Sequence, residues 1–357
     1  MIPFTRGVHI IVRLELAQRV RGVAVYVLLG LFTILVAAVT LLLWATSSNT
    51  GMNGTTGSSG WLFSTIVYFV LLLGTLLVPA LGGAAVNGDR DAGTLATTQV
   101  TLVSTTQIVI GKFLASWITS LAFLVVSLPF LLFSFTLGEL PVRTVVVSLL
   151  VLVIELAVVS AVAVGLSAIV GRPLFSVAST YLVVAALSIG TLIAFGLGGL
   201  AVQTEQRTTF INVDASSYDD EGAVECLPPE VYTSQVPRFD LVWGFLAANP
   251  YVVLADASAG EFDGSGYPVD LFGSFALGAR AAQIPPEAET IYDECGALQS
   301  GRGYEDSPTP EEIWNSTTPS WFVGLAAHVL LAAALLFWGI RRTITPARRL
   351  PRGQRVA

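Results

Sequence analysis

Six long apolar runs, almost free of charged residues, determine what this 357-residue chain can fold into. An α-helix needs about 20 apolar residues to cross a bilayer, and every run meets that length: 23–44, 61–86, 113–137, 144–170, 174–201 and 321–340. Charged residues make up 12% of the chain, against about a quarter in soluble domains. The first run is too long for the core of a signal peptide. The sequence therefore predicts an all-α polytopic membrane protein with six transmembrane helices.

Basic and acidic residues occupy different parts of the chain. Arginines cluster before the first run and after the last one, whereas 20 of the 25 acidic residues lie between Glu205 and Glu312. Lys and Arg flank membrane spans on the cytoplasmic side, so we expect both termini to be cytoplasmic. Counting spans then places residues 87–112 in the cytoplasm and residues 202–320 outside it.

These boundaries predict five parts. They are an amphipathic helix at 1–22, spans 1–5 at 23–201 with a cytoplasmic loop at 87–112, an acidic extracytoplasmic domain at 202–320, span 6 at 321–340, and a basic cytoplasmic tail at 341–357. In the first part, Val8, Ile11, Val12, Leu16 and Val20 recur every three or four residues. This spacing predicts a helix in the headgroup layer, whose arginines bind anionic lipid or only orient span 1.

The acidic segment contains both cysteines of the chain, Cys226 and Cys295. An oxidising compartment permits a disulfide there, so we expect a Cys226–Cys295 bridge; the alternative is two free thiols buried apart. The apolar stretch 239–257 is interrupted by Asn249-Pro250, so it forms either a re-entrant helix pair or part of the domain core. The segment has no histidine, so we expect neither a His-based triad nor a zinc site, and we expect its Asp219-Asp220-Glu221 run to be a solvated loop rather than a calcium site.

The loop at 87–112 is longer than a connection between two spans requires. Ser104 and Gln107 have the spacing of a capping box, and Gly93-Thr94 supplies a break before it. We expect a short surface helix and then a turn at Gly111-Lys112, which contains the only lysine of the chain. This composition indicates a docking surface rather than a simple linker.

The loop resembles the cytoplasmic loop between spans 2 and 3 of ABC-2 type transporter permeases. The matching residues are Asp89, Arg90, Asp91, Gly93, Thr94, Leu95, Thr101, Ser104, Ile108, Gly111 and Lys112. The sequence departs from that pattern at Ala96, where an acidic residue is common, and at Leu102, where proline is usual.

This resemblance implies a permease subunit whose coupling helix docks on a separate ABC ATPase subunit. That ATPase would bind ATP and Mg²⁺, while this chain would bind no cofactor and have no catalytic residues. The other implied partners are a second permease, identical or homologous, and membrane lipid; nucleic acid is not expected. A P-loop requires Ser or Thr after its Gly-Lys, but Phe113 follows Gly111-Lys112. Energy must therefore come from a partner or from an ion gradient.

Glu155 lies in the middle of the predicted fourth span. A carboxylate there costs about 2.5–3.5 kcal/mol on insertion scales, so it should face the bundle, a dimer contact or a wet cavity. It is either part of a substrate path or a structural hydrogen-bonding group. A gradient-driven transporter with Glu155 as its proton site is a second hypothesis, and a membrane-anchored sensor or assembly protein is a third. For His328 in the sixth span, we expect a satisfied polar contact.

Overall fold

A computed structural model of the protein describes residues 3–49, 58–95, 103–214, 225–300 and 308–344. In chain order the helices are α1 (Phe4–Arg21), α2 (Val23–Asn49), α3 (Ser58–Gly82), α4 (Asn87–Asp91), α5 (Thr105–Ser134), α6 (Val142–Ile169), α7 (Pro173–Ala185), α8 (Thr191–Ala201), α9 (Gly244–Ala247), α10 (Pro250–Ser258), α11 (Leu271–Ala281), α12 (Glu294–Ser300), α13 (Pro310–Ser316) and α14 (Trp321–Thr343). The strands are β1 (Gln203–Ile211), β2 (Glu230–Pro237) and β3 (Glu289–Asp293).

Six helical segments in the described chain are long and apolar enough to cross a membrane, which confirms the prediction of a multi-pass membrane protein. We number these spans 1 to 6: α2, α3, α5, α6, α7 with α8, and α14. A π-helical turn at Ala186–Gly190 joins the two halves of span 5. Proline in the first turn fixes where span 5 begins, since its ring sets the helical φ and no donor is lost there.

Burial differs strongly between the spans. In the most apolar window of span 2, 67% of residues are buried, but in that of span 5 only 11% are. Span 2 lies at the centre of the core, where Ile66 and Leu71 pack with Leu152 of span 4 and Val253 of α10. Span 5 therefore presents most of its apolar side chains to the surroundings.

The two ends of the bundle have different structures. At one end, which we call the terminal end, α1, the loop after span 2 and the ends of spans 4 and 6 share an apolar cluster that includes Ile11, Leu95, Val164 and Ile340. At the other end, the sheet end, span 5 leads into β1. Strand β1 lies between β2 and β3, antiparallel to β2 and parallel to β3.

The sheet corrects the all-α prediction. Its strands contain runs such as TTFI in β1, VYT in β2 and TIY in β3, and β-branched and aromatic residues favour strands. The sequence analysis did not predict these strands, because the runs are short and lie within an acidic segment. Cys226 and Cys295 form a disulfide beside the sheet, with Cα atoms 5.5 Å apart, as the sequence analysis expected.

The segment between spans 5 and 6 is not separate from the bundle. Helix α10 packs against spans 4 and 6, and the main-chain oxygen of Ala248 accepts from His328, 2.9 Å away. His328 is seven residues after the start of span 6, which is about 10 Å along a helix. Residues 239–257 thus include two short helices, α9 and most of α10, and α10 packs into the core that the spans share. Residues of α10 and α11, within the segment 202–320, share this core with spans 1 to 4.

Candidate functional site at the terminal end

The loop between spans 2 and 3 begins with a short, well-defined helix. After Gly82 the chain turns through Val86 into α4, and Gly93 has a φ of +73°. A residue with a side chain is strained at this φ, so glycine suits the turn that ends α4. The next residues, Thr94 and Leu95, are helical, and the Thr94 hydroxyl donates to the Asp89 carbonyl at 3.2 Å.

The start of α4 is hydrogen-bonded to the end of span 4. The Ser167 hydroxyl accepts from the amides of Val86 and Asn87, at 2.9 and 3.2 Å. It donates to the Asn87 side-chain oxygen at 3.0 Å, and Asn87 Nδ2 donates to the Val170 carbonyl at 3.1 Å. Asn87 and Ser167 are fully buried, so span 4 holds this turn without a charged group.

Lys112 connects three segments at the same end. Its ammonium group is buried and pairs with Asp89 of α4 at 2.6 Å and with Glu15 of α1. The Asp89 side chain is 39% exposed, whereas that of Glu15 is only 12% exposed. Arg19 lies one turn after Glu15 and donates to the Thr119 hydroxyl at 3.3 Å. Burial lowers the pKa of the Arg19 guanidinium, and the Glu15 carboxylate opposes that shift.

The predicted capping box is present. The Ser104 hydroxyl accepts from the Gln107 amide at 3.3 Å, and the Gln107 side chain accepts from the Ser104 amide at 2.7 Å. However, the helix that it starts is span 3 itself, which is continuous from Thr105. The turn predicted at Gly111-Lys112 is therefore wrong, because both residues lie inside the helix.

Helix α1 packs on the start of span 3 rather than only on the membrane surface. A Cβ at Gly111 would lie 2.6 Å from the Ile11 side chain, and one at Gly7 would lie 2.6 Å from Gln107. Val8 and Ile11 are buried, although their spacing suggested a face turned to lipid. Amphipathic spacing predicts an apolar face but not the surface that covers it.

The loop residues that match the permease pattern divide into buried anchors and an exposed turn. Leu95, Ile108, Gly111 and Lys112 are buried, and Arg90 is half-buried; Asp91, Gly93, Thr94 and Ser104 are exposed. Thr101 lies outside the described residues. The exposed turn at 91–94 thus follows directly from α4. Ion pairs through Lys112 connect α4 to α1 and span 3, and hydrogen bonds to Ser167 connect it to span 4.

Glu155 lies in a second polar site, within the spans. Its Oε1 atom is 2.9 Å from His328 Nδ1 in span 6, and both side chains are buried. His328 Nε2 is 2.9 Å from the Ala248 carbonyl oxygen. A carbonyl only accepts, so Nε2 carries a proton, and one further proton lies between Nδ1 and the carboxylate. The pair is therefore neutral overall, which lowers the cost of burying Glu155.

Sequence reasoning missed Glu15, Asn87 and Ser167. A signal for Glu15 was present: it is the only acidic residue in the arginine-rich first 22 residues, and Lys112 is the only lysine. Asn87 and Ser167 carry no comparable signal, because serine is common in spans. Among the described residues, no group of three or more His, Cys, Asp or Glu side chains is placed to hold a metal ion.

Comparison with known proteins gives no relative. No protein-family model matches the sequence, and no curated protein matches it.

Proposed function

We propose that the protein is the permease subunit of an ABC-2 type transporter and that it exports a substrate with energy from a separate ATPase subunit. The partner would bind ATP and Mg²⁺, and two permease chains would form the transmembrane unit. The terminal end would face the cytoplasm, and the disulfide would lie outside it.

The observation that carries this proposal is how the exposed turn at 91–94 is attached. A push on this turn passes through Asp89 and Lys112 to span 3 and α1, and through Asn87 and Ser167 to span 4. A covalent linker alone would move only spans 2 and 3. Three separate attachments suit a part that receives mechanical work and distributes it to several helices.

A site-specific crosslink tests the proposal. A photo-reactive amino acid replaces Thr94 in full-length protein expressed in its native cells, and the same amino acid replaces Gly264 at the sheet end as the control. We expect the Thr94 variant to capture a protein that contains a P-loop, with a yield that changes when ATP is added. No crosslink to an ATP-hydrolysing subunit, or labelling of position 94 from the outer face, would contradict the proposal.

The Glu155–His328 pair supports a second candidate, a transporter driven by a proton gradient. The pair shares one proton between an acid and a base inside the spans, which a proton-coupled site requires. Transport by purified protein in vesicles separates the two candidates. Transport that requires a pH gradient and no ATPase subunit, and that Glu155→Gln abolishes, would favour this second candidate.

A further inference from the structure

A cavity of about 330 Å³ lies between span 2, span 5, α10 and α11. Its floor is formed by the buried residues Asn249 and Val252. Its rim includes Leu72, Leu192 and Phe275, whose side chains are 41–50% exposed. The cavity is therefore open on one side, between spans 2 and 5.

The opening lies at the depth of the membrane interior. Leu72 is 13 residues after Ser59, the first residue of span 2, which is about 20 Å along a helix. Leu192 is nine residues before Ala201, the last residue of span 5, or about 14 Å from that end. The hydrocarbon core of a bilayer is about 30 Å thick, so the two rim residues on the spans, Leu72 and Leu192, border hydrocarbon rather than water.

Three polar side chains of the lining, Thr65, Tyr68 and Asn249, are already hydrogen-bonded within the protein. The hydroxyls of Thr65 and Tyr68 donate to main-chain carbonyl oxygens at 2.7 and 3.3 Å. Asn249 Nδ2 donates to a span 5 carbonyl at 2.6 Å. A bound molecule with polar groups would have to break these bonds, and such a loss costs about 1–3 kcal/mol per buried group left unsatisfied. The cavity suits a group that needs no hydrogen bonds.

We propose that this cavity binds one acyl chain of a membrane lipid. Hydrocarbon borders its opening at Leu72 and Leu192, the lining offers apolar contact, and its volume is within the range of small-molecule sites. A bound chain would contact span 2, span 5 and helix α10 together. This proposal depends on the membrane-spanning character of the helices and not on transport.

Photo-crosslinking to lipid tests the site. Full-length protein is placed in nanodiscs that contain a phospholipid with a photo-reactive group midway along one acyl chain, and the labelled peptides are located by mass spectrometry. We expect labelling to concentrate on the peptides that contain Leu72 and Phe275. Leu192→Trp should reduce it about tenfold, because the indole fills the opening.

Ile193→Trp is the matched control. Ile193 is the next residue of the same span and is 55% exposed, but it does not line the cavity, so labelling should stay unchanged. Leu72→Trp blocks the opening from the other span and covers the case in which Leu192→Trp does not fold. Labelling that spreads evenly over all spans and is equal in the four proteins would overturn the proposal. So would a crosslink that places a second copy of this chain in the opening.

Discussion

The two ends of the bundle both use buried ion pairs, but they use them differently. At the terminal end, one cation, Lys112, serves two carboxylates, and Asp89, one of them, reaches solvent. At the sheet end, Asp256 pairs with Arg280 at 2.6 Å, and both are buried. Asp256 also accepts from the amides of Ser320 and Trp321, at 2.5 and 3.0 Å, and from the Ser320 hydroxyl.

This difference indicates which end can be released. The Asp256 carboxylate fixes the start of span 6 through several donors, and the Arg280 guanidinium also stacks 3.4 Å above the Trp314 ring. Opening this site would strand charges inside the protein. Water can replace the contact between Asp89 and Lys112, because Asp89 already faces solvent. We call the Asp256–Arg280 site the clamp, because we expect it to stay closed. We call the site of Lys112, Asp89 and Glu15 the joint, because we expect it to open more readily.

The largest effect should come from Asp256→Ala. It leaves the Arg280 charge buried without its carboxylate and removes the acceptor for span 6, so we expect a loss of about 3–5 kcal/mol of stability. Thermal unfolding in detergent, followed by tryptophan fluorescence, measures it. Glu289→Ala is the control, because its pair with Arg207 is exposed and exposed pairs are worth about 0–1 kcal/mol. Equal effects of the two substitutions would contradict the clamp.

Lys112→Met should open the joint. The change leaves the nearly buried Glu15 carboxylate without its cation, which should cost about 2–4 kcal/mol. Hydrogen exchange of the α1 amides measures the opening. Asp89→Asn should cost no more than about 1 kcal/mol, because Asp89 is partly solvated. If Asp89→Asn loosened α1 as much as Lys112→Met, the two carboxylates would not differ as the structure indicates.

Asp270 makes the sheet end sensitive to pH. Burial raises the pKa of its carboxyl to about 6, opposed by the Gly273 amide, which donates to it at 2.6 Å. A raised folded-state pKa means that the protonated form is more stable in the fold. Stability should therefore rise by about 2–3 kcal/mol as pH falls from 7 to 4. Hydrogen exchange of the α11 amides, measured between pH 7 and 4, gives this change in stability. Asp270→Asn keeps a capping side chain and should remove the change; if it stayed, Asp270 would not be its source.

A smaller effect than those of Asp256→Ala and Lys112→Met should come from Ser167→Ala, which removes the acceptor for the Val86 and Asn87 amides. We expect a loss of about 1–3 kcal/mol, seen as faster exchange of the α4 amides. Ser160→Ala is a matched control in the same span, since the buried Ser160 hydroxyl has no hydrogen-bond partner among the described residues. Its removal should be neutral or slightly stabilising. Faster α4 exchange in Ser160→Ala alone would contradict the link to span 4.

The sequence predicted the features that depend on local or compositional signals. Hydropathy located all six spans, the spacing of Ser104 and Gln107 located a helix start, and topology suggested the disulfide. It did not predict contacts between residues that are far apart in the sequence and whose flanking residues carry no distinctive pattern. Asp256 resembled one of many acidic residues in its segment, and only the fold brings it to the start of span 6. Asn249-Pro250 predicted a break in the apolar stretch, but the position of α10 in the bundle depends on how the spans pack.

The burial of the only lysine gives the protein an internal reporter. Because every other basic side chain is an arginine or a histidine, a reagent specific for primary amines meets no other lysine side chain anywhere in the chain. Lys112 is shielded while its two carboxylate partners hold it, so the rate of its modification would report how readily α1 separates from span 3. The rate at which this one side chain reacts can thus measure how readily α1 separates from span 3, without any engineered label.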